Sequence, residues 1–373
     1  MKSELPPQKF YFARLLRRFR QEQKGTNQGC MGKTVEFPKL CANCYVLHFY
    51  LLSAKCYVLC AVFYLLCANT GCAYAPLRIP ARNPQLLPAP LVSYYDYPRQ
   101  PLQATRQLLR ETPAIREWLV QFPLSVSGFE PTEPVVELEW FESKAPGRHP
   151  AIVFHPILGG DYPIEREICR YLACHGFHTA MIHRKTLKIS PDQSVEHLEL
   201  LLRQGVIRIR QVVDWMEQQD NVDPQRLGSF GISMGGITAI MAAAVEPRLK
   251  AHVAALPGGS IPDILLTSHD SLLTKPLDRY LSQRRMDRKE LDRLLRAHIK
   301  TDPLLLSPYV DSRPLLLFIA LMDRTIGYPN ALRLWRALGH PKVVFLPFGH
   351  YTSYLCLPYL QYESLRFFQA TLQ

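Results

Sequence analysis

The chain has 373 residues, 47% of them apolar and 20% charged, enough for a large globular core. Its net charge of +12 is uneven: residues 1–72 hold ten Lys or Arg against three Asp or Glu, leaving +5 for the rest. The basic excess is therefore mainly N-terminal, and with no recognisable motif this excludes a nucleic-acid-binding domain.

Six basic residues, Lys9, Arg14, Arg17, Arg18, Arg20 and Lys24, precede a strongly apolar stretch over residues 44–68. Within it, Cys56 to Ala68 is an unbroken apolar run, short for a membrane span and right for the core of a signal peptide. Ala68-Asn69-Thr70-Gly71-Cys72 then resembles a lipoprotein cleavage site, with Asn69 where an aliphatic residue is usual. Cleavage after Ala73 is an alternative, as is translation from Met31, or a core helix in place of an export signal. The expectation is a signal or anchor in residues 1–72 that attaches the chain to a membrane and places the remainder outside the cytoplasm.

Seven of the ten cysteines also fall in these 72 residues. Cys41-Ala-Asn-Cys44 lacks a second ligand pair at zinc spacing, so no metal site is read there. Cys169, Cys174 and Cys356 are too scattered for a disulfide framework.

Residues 73–144 read as a connector. Seven prolines between Pro76 and Pro101 favour an extended tether. A short helix is expected over about 102–122, limited by Pro113. Pro134 to Phe141 alternates as a strand, with Val136, Leu138 and Trp140 on one face, and is expected at the edge of the sheet.

From residue 145 strands and helices alternate. Ala151–Phe154 is a short apolar strand, followed by His155-Pro-Ile-Leu-Gly-Gly160. Asp161 is placed to cap a helix that has Pro163 in its first turn and ends at Gly176. Phe177–Ile182 is a strand, and Val206, Ile209, Val213 and Met216 recur at helical spacing. Strands over 226–230, 250–256, 314–321 and 343–346 come next, and a helix over 359–372 closes the chain. Unbroken apolar strands alternating with helices predict an α/β fold: a mostly parallel sheet covered on both faces. Residues 257–312 are long for a connection and predict a small cap, with Leu291, Leu294, Leu295 and His298 as the inner face of a helix. A surface excursion away from the substrate is the alternative.

The chemistry gathers around Gly231-Ile-Ser-Met-Gly-Gly236, a G-x-S-x-G between a β-compatible segment and an alanine-rich helix. That context suits a nucleophile elbow, with Ser233 at the tip of a sharp turn. Asp323 follows the 314–321 strand and His350 follows the last strand, so a parallel sheet brings both to the edge that carries Ser233. Asp263, Asp302 and Asp311 are the rival acids.

The order Ser233, Asp323, His350, with the Asp323-Arg-Thr-Ile loop and Gly349-His350, resembles the α/β-hydrolase superfamily over residues 145–373. The resemblance is nearest the branch of dienelactone hydrolases, acetyl esterases and prolyl-oligopeptidase-like catalytic domains. It implies a serine hydrolase acting on a small-molecule ester or acyl substrate through an acyl-enzyme, with no cofactor or metal. It also implies an oxyanion hole from the amides of Met234 and Ile157, because Pro156 stands where glycine is usual and has no N–H. A peptidase or thioesterase using the same triad, or a catalytically silent binding protein of this fold, are the alternatives.

Overall fold

A computed structural model describes residues 83–159, 161–184 and 193–372. The basic segment, the apolar run and Cys72 lie outside these residues. Residues 81–353 and 358–373 form one compact unit, grouped apart from residues 1–80 and 354–357. The sheet and its covering helices belong to the larger unit.

The described chain opens with a short helix, α1 (Ala89–Tyr94), in the proline-rich stretch. Strands β1 (Thr105–Glu111), β2 (Ile115–Pro123) and β3 (Val135–Ser143) follow. Then come β4 (His149–His155), α2 (Pro163–Cys174), β5 (His178–Ile182) and α3 (Val195–Glu217). Strand β6 (Val222–Ile232) leads into α4 (Met234–Val245), and β7 (Leu249–Ala255) follows. Residues between β7 and the next strand form α5 (Ile261–Thr267), α6 (Ser271–Arg284), α7 (Arg288–His298) and α8 (Pro303–Leu306). The chain ends with β8 (Leu315–Ala320), α9 (Tyr328–Ala337), β9 (Lys342–Leu346) and α10 (Leu357–Leu372).

One nine-stranded sheet results, in the order β1-β2-β3-β5-β4-β6-β7-β8-β9. From β5 through β4 to β9 every pairing is parallel, while β1, β2 and β3 add an antiparallel edge. The apolar runs read as buried strands are inaccessible: residues 151–154 and 315–319 are 0% exposed. Helices cover both faces because unbroken apolar strands have two sides to bury.

Several expectations for the early chain need correction. The helix expected over 102–122 is the β1–β2 hairpin, and Pro113 sits in its turn, where the Thr112 amide donates to the Ile115 carbonyl at 2.9 Å. A carboxylate masks the strand pattern: Glu117 of β2 is almost fully buried and pairs with Arg170 of α2 at 2.7 Å. Nor is β3 an edge: it lies between β2 and β5, although Val136, Leu138 and Trp140 are all 0% exposed on one face as read.

The boundary at residue 145 also moves. Three strands of the sheet precede it, and the proline-rich stretch is docked rather than free. Tyr95 and Tyr97 are buried and donate to Thr301 Oγ1 (3.1 Å) and Asp214 Oδ2 (2.6 Å). Asp161 does not cap α2 either: the N-cap is Tyr162, with no side-chain bond to the helix, and Asp161 has φ of 76°.

Candidate active site

The elbow explains its own glycines. Ser233 joins β6 to α4 with φ of 58° and ψ of −119°, a conformation that an L-residue holds only under constraint. Its amide donates to the Ala255 carbonyl of β7 at 2.8 Å, which fixes the turn to the sheet. A Cβ on Gly231 would stand 2.1 Å from the Gly235 carbonyl oxygen, and one on Gly235 would stand 2.1 Å from that of His155. Each glycine therefore marks a close backbone approach, the second between the elbow helix and the end of β4.

The structure brings the three predicted side chains together. Ser233 Oγ lies 2.9 Å from His350 Nε2, and His350 Nδ1 lies 2.7 Å from Asp323 Oδ2. The other Asp323 oxygen accepts from the amides of Thr325 (2.8 Å) and Ile326 (2.9 Å). Burial pushes the Asp323 carboxyl up, but the His350 charge and hydrogen bond, with the two amides, outweigh it and hold the group below the ordinary aspartate value. Backbone bonds from Leu321 to Leu346 (2.9 Å) and from Met322 to Phe348 (3.0 Å) tie the loops after β8 and β9 together. A serine hydroxyl so placed can pass its proton to the imidazole, which an ionised aspartate orients.

The rival acids have other partners. Asp302 caps α8 and also accepts from the Ile261 amide. Asp263 pairs with Arg296 and Arg333, and Asp311 with Arg313.

The residues read for the oxyanion hole differ in placement. Met234 is the first residue of α4, where amides have no intrahelical acceptor. The Ile157 amide instead donates to Glu165 Oε1 at 3.2 Å, so in this structure it is turned to a carboxylate rather than held open beside Ser233. Arg184 Nη2 holds the same loop by donating to the carbonyls of Pro156 (3.0 Å) and Ile157 (2.8 Å). His155 beneath it is fully buried, and burial, followed by the nearby His252 and Arg184, lowers it to about 3. The imidazole is therefore neutral at neutral pH.

Sequence reasoning missed Asp270. It caps α6, accepts from Thr325 Oγ1 at 3.2 Å, and accepts from the Tyr351 hydroxyl. Thr325 is two residues from Asp323, and Tyr351 follows His350 with its ring edge-on to the imidazole at 5.4 Å. The His269 amide adds a bond to the Arg324 carbonyl at 3.0 Å. The insertion between β7 and β8 is thus fastened to both loops that carry the acid and the base. Leu291 and Leu295 of α7 point into its core as predicted, while Leu294 and His298 are half-buried. An N-capping aspartate gives no signal of a second duty.

Among the described residues no group of His, Cys, Asp or Glu could hold a metal ion, and no helix is long and apolar enough to cross a membrane.

Comparison with known proteins adds three findings. Residues 206–346 match the prolyl oligopeptidase family. An uncharacterized protein of Mycobacterium tuberculosis is 28% identical over 172 residues, 46% of this chain and 37% of its own length. The chain thus spans little more than a third of that relative. The fold is similar to that of the acetyl xylan esterase of Paenibacillus sp. R4, with a TM-score of 0.59, 19% identity, and coverage of 73% of this chain and 90% of that one. Acetyl xylan esterase 1 of Thermoanaerobacterium sp. JW/SL YS485 gives 0.53, 17%, 76% and 95%. Sheet order, elbow and structural likeness agree on an α/β-hydrolase fold, within which residues 206–346 are similar to the prolyl oligopeptidase family.

Proposed function

We propose that the chain hydrolyses carboxylic esters through an acyl-enzyme, with Ser233 as nucleophile, His350 as base and Asp323 as orienting acid. The observation that carries this reading is the relay of 2.9 and 2.7 Å from Ser233 Oγ through the imidazole to Asp323, at the tip of a strained elbow.

Ser233 Oγ attacks the ester carbonyl while its proton passes to His350 Nε2. The carbonyl π pair moves onto oxygen, and the Met234 amide meets that oxyanion. The Ile157 amide joins it once it leaves Glu165, each donor stabilising the transition state by about 3 kcal/mol. When the tetrahedral species collapses, the alkoxide departs with the proton from His350. Water then gives a proton to His350 and attacks the acyl-serine. Collapse returns that proton to Ser233 Oγ and releases the acid.

The test is a fluorophosphonate probe, with peptide mapping of the adduct. Wild type is expected to label once, on Ser233, and to cleave p-nitrophenyl esters; Ser233→Ala does neither. A folded wild type that neither labels nor turns over esters points to a silent binding protein. The match to the prolyl oligopeptidase family favours a second reading, a peptidase with the same triad. Cleavage of peptidyl p-nitroanilides faster than esters would select it; thioesters are a further arm of the same screen.

We further infer, from the basic and apolar order of residues 1–72, that this segment attaches the chain to a membrane and holds the hydrolase outside the cytoplasm.

A further inference from the structure

A cavity of about 60 Å³ lies between the elbow helix α4 and the long helix α3. Met234 and Thr238 of α4 line it, facing Gly205 and Arg208 of α3, and Arg184 and Glu133 are the other charged residues in a wall that is otherwise mostly apolar. Met234 directly follows Ser233, so the residue next to the nucleophile forms part of the cavity wall.

Its two arginines differ in state. Arg208 is 4% exposed and is paired to Glu133 at 2.6 Å. Arg184 has no such partner: its Nη2 serves two carbonyls, and among the described residues no carboxylate pairs with it. Burial lowers it to about 10, which still leaves it charged at neutral pH. Arg184 is half-buried in the cavity wall and pairs with no carboxylate among the described residues, so an anion entering the cavity would meet an available positive charge.

Gly205 points the same way. It sits inside a 23-residue helix, where glycine is a poor helix former, yet a Cβ there would meet nothing within 4 Å. Packing does not demand glycine at this position. A larger side chain would project into the cavity.

We propose that this cavity receives a short anionic group of the substrate, with Arg184 as its counter-ion. The proposal rests on the ester-hydrolase reading above and adds the substrate class. A site of this volume takes roughly four to six heavy atoms, at the 10–15 Å³ that one water needs. That suits a carboxymethyl or phosphate group and excludes a long acyl chain. The anion can belong to the acyl side, as a terminal carboxylate, or to the alcohol side, as a phosphate.

Two matched pairs of esters separate these sources. p-Nitrophenyl hemisuccinate against p-nitrophenyl butyrate tests the acyl side. The acetate ester of glycerol 3-phosphate against glycerol monoacetate tests the alcohol side. For wild type we expect kcat/KM to favour the anionic member of one pair by about 10- to 100-fold, the range of a charge-assisted hydrogen-bonded contact. Arg184→Met should bring that ratio to near one, and Arg184→Lys should restore part of it. The ratio is the readout because Arg184 also holds the loop of Pro156 and Ile157, so absolute rates can fall for both esters. Gly205→Leu, which fills the cavity without touching that loop, should likewise abolish the preference. In wild type, free succinate or inorganic phosphate should inhibit butyrate hydrolysis competitively, and Gly205→Leu should relieve it. Turnover of neutral esters with no anionic preference in either pair overturns the proposal and leaves the hydrolase standing. Absence of both turnover and probe labelling removes the hydrolase reading itself.

Discussion

Gly235→Ala tests how closely the elbow must approach the end of β4. The added Cβ would stand 2.1 Å from the His155 carbonyl oxygen, 2.8 Å from its carbon and 3.0 Å from the Pro156 carbonyl oxygen. All three are backbone atoms, so no rotamer change relieves the clash. A carbon and an oxygen need more than 3 Å, so the elbow and the 155–157 loop must separate by about 1 Å. Overpacking of this kind costs about 1–3 kcal/mol of stability. At about 2–4 °C per kcal/mol for a domain of this size, Tm should fall by about 2–12 °C. The same displacement moves Ser233 and Met234 away from the loop, and a 1 Å error in placement costs about 10²-fold in rate. We expect kcat on p-nitrophenyl acetate to drop about 100-fold while KM changes much less. Gly228→Ala is the control: its Cβ would meet the Ile152 Cδ1 atom at 2.8 Å, the Ala251 carbonyl oxygen at 3.0 Å and the Leu372 Cδ1 atom at 3.2 Å, deep in the core and away from the elbow. It should lower Tm yet leave kcat within about twofold. Wild-type kcat in a folded Gly235→Ala protein would refute the reasoning.

Asp323→Asn should lower kcat about 10⁴-fold by favouring the wrong imidazole tautomer, with circular dichroism unchanged; wild-type turnover would move the acid elsewhere. Asp270→Asn and Tyr351→Phe loosen the tie to the two loops and should each reduce kcat about 3- to 30-fold, with probe labelling slowed in parallel. Acid should destabilise the fold. His252 and His178 are lowered to about 4, and His155 to about 3, in each case first by burial. Their unfolded forms take protons below about pH 6.5 while the folded forms do not, so stability present above that pH is lost as pH falls toward 4. Each should remove about 2 kcal/mol by pH 5, read as a falling urea midpoint. His183, raised by Glu139 and Glu137 against burial, works in the opposite direction and offsets part of the loss. A midpoint constant from pH 7.5 to 5 would contradict this. Finally, the full chain should sediment with membranes, and a chain beginning at residue 73 should remain in solution with its ester activity; equal partitioning of the two would remove the anchor.

The site was legible because its three residues follow strands. Apolar runs such as Leu315–Ile319 advertise buried parallel strands, and a parallel sheet delivers whatever follows them to one edge. The hairpin before β3 was hidden for the converse reason. Its buried positions include Glu117, whose partner Arg170 lies 53 residues away, so the alternation breaks where a salt bridge replaces an apolar contact. Asp270 and Arg184 were unreadable for a related reason. Each acts through partners distant in sequence, 81 residues for Asp270 and Tyr351, and 27 for Arg184 and Ile157. The Ile157 amide shows a further limit: sequence offered it as a candidate donor, but Glu165 decides where it points.

The outermost strand bears on how the protein can be handled. Every residue of β1 is exposed, and among the described residues no strand pairs with its outer side, the kind of edge that recruits strands from other molecules. Arg106, Arg110 and Glu111 place charge along it, and the register slips between Leu108 and Arg110, so the margin is uninviting. Cutting the chain at residue 145 would strip away this guard. It would leave β5, with all five residues buried, as the new margin. Such a fragment keeps every residue of the Ser233, Asp323 and His350 relay, yet should precipitate as it folds, and trimming experiments belong upstream of residue 83.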